Sequence, residues 1–115
     1  MQDFRNVTAW KKAHGFVLRL YRETQRFPKD EVFGVTMQIR RKAVAIAGQI
    51  AEGAGRENNQ ERSVDLRKAA SGCNELEYFV LLAADLGYWT DEEHTSLTAD
   101  VVEVRKLIFG LLRTF

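Results

Sequence analysis

One cysteine, one proline and two histidines occur in 115 residues, and each scarcity removes a class of explanation. A lone thiol, Cys73, can neither close an internal disulfide nor supply a multi-cysteine zinc site, and it fits a reducing compartment. A di-metal helical bundle needs Glu-x-x-His on two helices together with further carboxylates. His94 follows Asp91 by three residues, but Lys11 occupies that place before His14, so the set is incomplete and no metal is expected. Apolar runs are short as well: the longest, Tyr78 to Ala84, falls far below the ~20 residues that span a bilayer. The opening residues, Met1 to Arg5, lack the apolar stretch of a signal peptide. Val, Ile and Thr nowhere alternate with polar residues over the length of a strand, so no sheet is predicted. These absences together predict a soluble, cytoplasmic protein with no membrane partner.

What is present is helix. Hydrophobic residues make up 45% and charged residues 29%, a globular balance that can support a core without disulfides or metals. Four helices are predicted, at about 7–26, 32–52, 59–86 and 90–113, in a single domain over 1–115. In the first, Trp10, Ala13, Val17, Leu20, Tyr21 and Thr24 recur every three or four residues and share one face. Pro28 stops it, because the residue before a proline disfavours helix. The second carries Val35, Ile39, Ala43, Ile46 and Ile50 on its stripe, and Gly53 and Gly55 are expected to end it in the left-handed conformation. The third carries Leu66, Ala69, Cys73, Leu76, Val80 and Ala83, with Gly87 as its stop. The fourth opens on Thr90 followed three residues later by Glu93, the spacing of a capping box. Its seam of Leu97, Val101, Val104, Ile108, Leu111 and Phe115 has the spacing of bundle packing. Long helices joined by short connections predict an all-α, antiparallel, up-down-up-down four-helix bundle.

Net charge is only +1, yet it is unevenly placed: residues 1–56 hold eleven Lys or Arg against five Asp or Glu, a balance of +6, and residues 57–115 hold six against eleven, a balance of −5. Such a split predicts either an anionic partner for the basic half or attraction between the halves, within the fold or between subunits. Apolar residues are also in surplus, since one bundle needs only one stripe per helix. Tyr78, Leu81 and Leu82 point away from the Leu76–Val80 stripe at about 100° per residue. Val102 and Phe109 lie about opposite the seam of the fourth helix. On the back of the second, Met37, Ala45 and Gly48 stand where a solvated helix would show Lys or Glu. These surplus faces predict a subunit interface and a homo-oligomer.

Side chains with chemical potential are few. His14, at the edge of the first stripe, reads as a packed histidine rather than a ligand. Cys73, on a core stripe, reads as a small buried hydrophobe rather than a nucleophile. Glu75 and Glu77 point to different faces of a helix at a spacing of two, and Ser63 and Ser71 have no histidine at a suggestive position. No catalytic residue and no cofactor are predicted. Glu52-Gly53-Ala54-Gly55-Arg56 reads as a helix stop with a turn, or as a loop whose N–H groups hold phosphate; it lacks the Gly-x-x-x-x-Gly-Lys-Ser/Thr pattern. Arg40, Arg41 and Lys42 form the densest basic cluster, but three consecutive residues fan over about 200° of a helix. Lys42 snorkels beside the core stripe, while Arg41 is placed either to pair with a carboxylate across an interface or to contact phosphate.

At these residues the chain resembles a known family, the bacterial four-helix-bundle proteins encoded by intervening sequences inside 23S ribosomal RNA genes. The matching pieces are Phe4 with Val7 and Trp10-Lys11-Lys12-Ala13; Tyr21, Thr24 and Phe27-Pro28; Gly34 with Gln38-Ile39-Arg40-Arg41-Lys42-Ala43; Ile50-Ala51-Glu52-Gly53 with Gly55-Arg56; Asn74-Glu75-Leu76-Glu77; and Leu86-Gly87-Tyr88. Where the family usually reads Ser-Ile-Pro-x-Asn, this chain has Ala45-Ile46-Ala47-Gly48-Gln49 without the proline. Where the family has Gly-Ser before its Glu-x-Glu, this chain has Ser71-Gly72. The resemblance implies a four-helix bundle assembled as a ring-shaped pentamer and no established enzymatic activity. The family is similar in fold to accessory proteins of diversity-generating retroelements, which bind nucleic acid and a reverse transcriptase.

Two functions are therefore expected. One is a non-enzymatic oligomeric accessory protein that binds RNA or DNA beside a nucleic-acid-processing protein, using Arg40, Arg41, Arg56, Arg19, Arg22 and Arg26 on phosphate. The other is a protein–protein scaffold whose charges serve its own assembly. An Arg41 or Arg56 paired with Glu52 or Glu75 would favour the scaffold, and a continuous basic surface would favour nucleic acid.

Overall fold

A computed structural model describes residues 2–115. Among them four α-helices follow in order, α1 (Thr8–Glu23), α2 (Val35–Gly55), α3 (Asn59–Asp85) and α4 (Asp91–Leu112), with short 3-10 turns before and after α1 and before α2 and no strand. Neighbours in sequence are neighbours in space, α1 on α2, α2 on α3 and α3 on α4, and α4 closes the circuit on α1. The result is a four-helix bundle with extents of 43 × 23 × 20 Å. The α2–α3 pair shares the most extensive interface.

Side-chain caps set two of the helix starts. The Asn58 carboxamide oxygen accepts the Glu61 N–H at 2.9 Å to open α3. Thr90 Oγ1 accepts the Glu93 N–H at 3.1 Å while Glu93 Oε1 accepts the Thr90 N–H at 2.8 Å, so the capping box is complete. Gly87 ends α3 at φ +79°, the only positive φ among the described residues. The Tyr88 N–H reaches back to Ala83 O and the Gly87 N–H to Ala84 O, both at 2.9 Å, which is the Schellman closure.

Elsewhere the helix ends depart from expectation. α1 stops at Glu23 and tightens into a 3-10 turn over Thr24–Arg26, because the Thr24 hydroxyl donates to Leu20 O at 2.7 Å and Phe27 must be extended before Pro28. α2 begins at Val35 rather than 32, since Lys29–Glu31 is a separate turn and the Glu31 carboxylate accepts the Val35 N–H at 3.3 Å. At its other end α2 does not stop at Gly53 but remains helical through Gly55. Gly53 is buried against α3, where an added Cβ would meet Asp65 Cβ at 3.3 Å and Arg62 O at 3.5 Å. That glycine serves the approach of two helices, not a turn. α2 also runs unbroken through residues 45–49.

The core follows the predicted stripes of α2, α3 and, from Leu97 to Ile108, α4. On α1 the buried face is Ala9, Ala13, Phe16, Val17 and Leu20. Phe16 was not on the predicted stripe, while Trp10 is only partly buried and Tyr21 is exposed. Leu111 is partly buried, and Phe115, which lies beyond the end of α4, is exposed. Phe27 and Trp89 close one end of the bundle with ring centroids 4.9 Å apart. The Trp89 indole N–H donates to Val80 O at 3.1 Å, which satisfies a polar group that burial would otherwise leave unpaired.

Candidate functional surfaces

The basic residues expected to contact phosphate fall into two groups. Four are engaged within the chain. Arg19, on α1, places Nη1 2.7 Å from Asp100 Oδ2 and donates from Nη2 to Ser96 Oγ at 2.9 Å. Lys12, two turns earlier, shares Asp100 at 3.1 Å. Arg26 pairs with Glu93 and lies 3.6 Å from Glu23. Arg40 donates from Nε to Thr24 Oγ1 at 2.9 Å and from Nη2 to Tyr21 O at 3.2 Å, and its guanidinium stands 4.7 Å over the Tyr21 ring. Arg56 donates from Nε to Asp65 Oδ2 at 2.8 Å and has Glu52 at 3.9 Å. The hydrogen bond to Asp65 holds the Arg56 guanidinium above its ordinary pKa. The second group is Arg22 and Arg41, both exposed and without an ion pair among the described residues.

Five ion pairs among the described residues join the basic half to the acidic half: Lys12–Asp100, Arg19–Asp100, Arg26–Glu93, Lys42–Glu75 and Arg56–Asp65. The charge split thus lies across the seams between α1–α2 and α3–α4. Asp65 was not foreseen as a partner, although a signal existed. It stands four residues before Ala69, then Gly72 and Leu76 follow at three and four, so an aspartate occupies a position on an apolar stripe. Its burial is compensated by Arg56.

The surplus apolar residues also divide. Tyr78, Leu81 and Phe109 are 56%, 44% and 43% exposed. Leu82 and Val102 instead pack partly buried against the core. Met37 and Ala45 are half-buried on the outer side of α2 beside an exposed Gly48. Tyr78 and Leu81 line an open groove of about 590 Å³ between α3 and α4, with Glu77 on one wall and His94, Thr95 and Thr98 on the other. Further exposed apolar groups, missed in the sequence because they fall near helix ends or between stripes, include Phe33 at 82%, Leu18, Val44 and Val64.

Residues with chemical potential are occupied otherwise. His14 is exposed and stacks on Trp10, rings 4.9 Å apart and 7° from parallel. Cys73 is buried, and burial pushes its thiol up to about 12, so it carries no thiolate near neutral pH. Gly53 and Gly55 belong to α2, so they form no phosphate-cradling loop. Among the described residues no group of three or more His, Cys, Asp or Glu is placed to hold a metal ion. No helix among them is long and apolar enough to cross a membrane.

Fold and surface together define an up-and-down helical bundle with its charges interlocked and an apolar groove on its flank. The chain belongs to the 23S rRNA-intervening sequence protein family, which matches it over residues 5–110. Its fold is similar to that of a crystallised protein of unknown function from the S23 ribosomal protein family of Bacteroides thetaiotaomicron. The two share 24% identity at a TM-score of 0.83, covering 91% of this chain and 95% of that one. No functionally curated protein matches.

Proposed function

We propose that this member of the 23S rRNA-intervening sequence protein family is a non-enzymatic scaffold that assembles with copies of itself. The observation that carries this reading is the contrast between its charges and its apolar groups. Arg19, Arg26, Arg40 and Arg56 are turned to partners inside the chain, whereas Tyr78, Leu81 and Phe109 are left uncovered. Aromatic and aliphatic groups surrounded by a polar rim are what an interface offers. Five copies is the number the family resemblance implies. Sedimentation equilibrium at micromolar concentration tests the reading. The expected particle is a multiple of 13.2 kDa, and Leu81→Glu, which sets a charge in the groove, is expected to shift it towards the single chain. A wild-type protein that sediments as a monomer overturns it.

A second reading, favoured by Arg22 and Arg41 alone, makes RNA or DNA the partner of the assembled form, beside a nucleic-acid-processing protein. Two unpaired arginines, of the six expected to contact phosphate, are a weak site, but repetition around an assembly multiplies weak contacts. Such binding would weaken steeply with salt and would read little sequence. In the same samples, fluorescence anisotropy with unrelated RNAs and DNAs separates the readings. Binding lost in Arg22→Ala and Arg41→Ala supports this second reading, and no binding at low salt removes it.

A further inference from the structure

Two apolar seams run along opposite sides of the bundle. Since the helices follow one another around a closed circuit, the α1–α2 side lies across from the α3–α4 side. On the first, the Arg40 guanidinium stands over the Tyr21 ring, which marks where the two helices meet at the surface. Leu18 is one turn from Tyr21 and Val44 one turn from Arg40; because α1 and α2 are antiparallel, both extend that seam in the same direction. Leu18, Tyr21 and Val44 are all exposed. On the second side, Tyr78 and Leu81 line the groove against Thr95 and Thr98. Phe109, exposed and three turns after Thr98, continues that seam along α4.

The free charges at one end of the two seams are of opposite sign. Arg22 stands one turn from Leu18 and Arg41 one turn from Val44. Asp85 stands one turn after Leu81, and Asp91 one turn before the groove residues His94 and Thr95. All four are exposed and none has an ion pair among the described residues. The end of α1, the first turns of α2, the end of α3 and the start of α4 share one end of an up-and-down bundle. Towards the other end the exposed charges beside the α3–α4 seam become positive, with Arg67 two turns before Asn74 and Lys106 three turns after Thr95.

We propose that the α1–α2 seam of one copy packs into the α3–α4 groove of the next, with the two copies the same way up. This rests on the self-assembly reading and names the surface that fills the groove. In that orientation Arg22 and Arg41 meet Asp85 and Asp91. With one copy inverted they meet Arg67 and Lys106 instead, and like charges set against each other cost affinity and exclude that pairing. The contact is heterologous, one face on a different face, so each copy both inserts and receives, and the contacts repeat until a ring closes. A groove packed on a second groove makes a closed dimer and leaves the α1–α2 seam in water. The pairing also takes up the two arginines on which the nucleic-acid reading relies.

The test is complementation between two variants of the full-length protein. Val44→Glu sets a charge in the α1–α2 seam and leaves the groove intact; Leu81→Glu does the reverse. Both positions are exposed in the single chain, so the urea midpoint under dissociating conditions is expected to stay near that of the wild type. Sedimentation equilibrium is measured on each variant and on their equimolar mixture, from micromolar to millimolar concentration. Each variant alone is expected to associate about a hundredfold more weakly, because an unpaired charge must lose its water. The mixture is expected to form a one-to-one pair of twice 13.2 kDa, joined through the one intact seam and the one intact groove. Arg22→Glu with Arg41→Glu is expected to weaken assembly about tenfold, and Asp85→Lys with Asp91→Lys in the same chain to restore it. A Val44→Glu protein that assembles as the wild type does overturns the inference while leaving self-assembly through the groove in place. A mixture that forms no pair overturns it as well, as does a fourfold charge reversal that restores nothing. A monomeric wild type removes the self-assembly reading and this inference together.

Discussion

A single residue type, glycine, illustrates why side-chain chemistry at one position is hard to read from sequence. In a helix interior Gly→Ala ordinarily stabilises by about 0.5–1 kcal/mol, because glycine has more backbone entropy to lose. At Gly72 a Cβ would lie 3.0 Å from Ile46 Cγ1. Ile46 is itself held in the α2–α3 interface and is 3% exposed, so it has little room to give. Overpacking a filled core costs about 1–3 kcal/mol, more than the entropy gained. Gly72→Ala is therefore expected to lower stability by about 1 kcal/mol or more, measured as a reduced urea midpoint at fixed protein concentration. A raised midpoint would mean that α2 and α3 can separate at no cost. The sequence marks Gly72 as helical but says nothing of what stands 3.0 Å away. The same limit hid the partners of Arg40 and Arg56. Thr24 and Asp65 lie 16 and 9 residues away, and only the approach of α2 to α1 and to α3 brings them within reach.

At the scale of elements far more was legible. The stripes of α2 and α3, and of α4 from Leu97 to Ile108, are buried as their spacing predicts, because a three- or four-residue recurrence is a property of the chain itself. Helix starts were legible where a local side chain makes the cap, as at Thr90, and displaced where the cap comes from a neighbouring turn, as with Glu31 on Val35. Glu93 ties the local cap to the tertiary structure. The Thr90 N–H and then the Arg26 guanidinium hold its carboxyl down to about 2, well below the value of about 4.3 in an unfolded chain. A carboxyl depressed on folding contributes stability that is fully present above its unfolded pKa and fades as pH falls towards its folded one. The start of α4 should thus weaken between about pH 4.3 and pH 2. Glu93→Gln cannot carry the charge. It is expected to be less stable than the wild type at neutral pH, and the gap should close as pH falls through that window. Thermal midpoints of both proteins from pH 7 to pH 2 check this, and a gap that ignores pH would remove Glu93 ionisation from the account.

For the molecule as a whole, the charge split of the sequence resolves into seams between helices, and the outer faces are left for whatever covers them. Gly48 allows the self-assembly reading to be tested apart from the groove. It lies exposed on the outer side of α2, on the face it shares with Met37, Arg41, Ala45 and Glu52, and an added Cβ there would meet nothing within 4 Å. Gly15, exposed on α1, is equally unencumbered. Within one chain the two positions are equivalent, and alanine at either should raise the unfolding free energy of the dissociated protein by about 0.5–1 kcal/mol. They cease to be equivalent once a second copy approaches α2. A methyl group at 48 then stands between two backbones that a glycine allows to come close, and association weakens while the fold is strengthened. Gly48→Ala is expected to raise the urea midpoint at concentrations below dissociation and to shift the sedimentation equilibrium towards the single chain. Gly15→Ala is expected to do only the first. Subunit association by itself raises apparent stability with protein concentration, so the two measurements must be made across the same dilution series. If Gly48→Ala matches Gly15→Ala in both, the outer face of α2 takes no part in assembly, and the α3–α4 groove of Tyr78 and Leu81 carries that role alone.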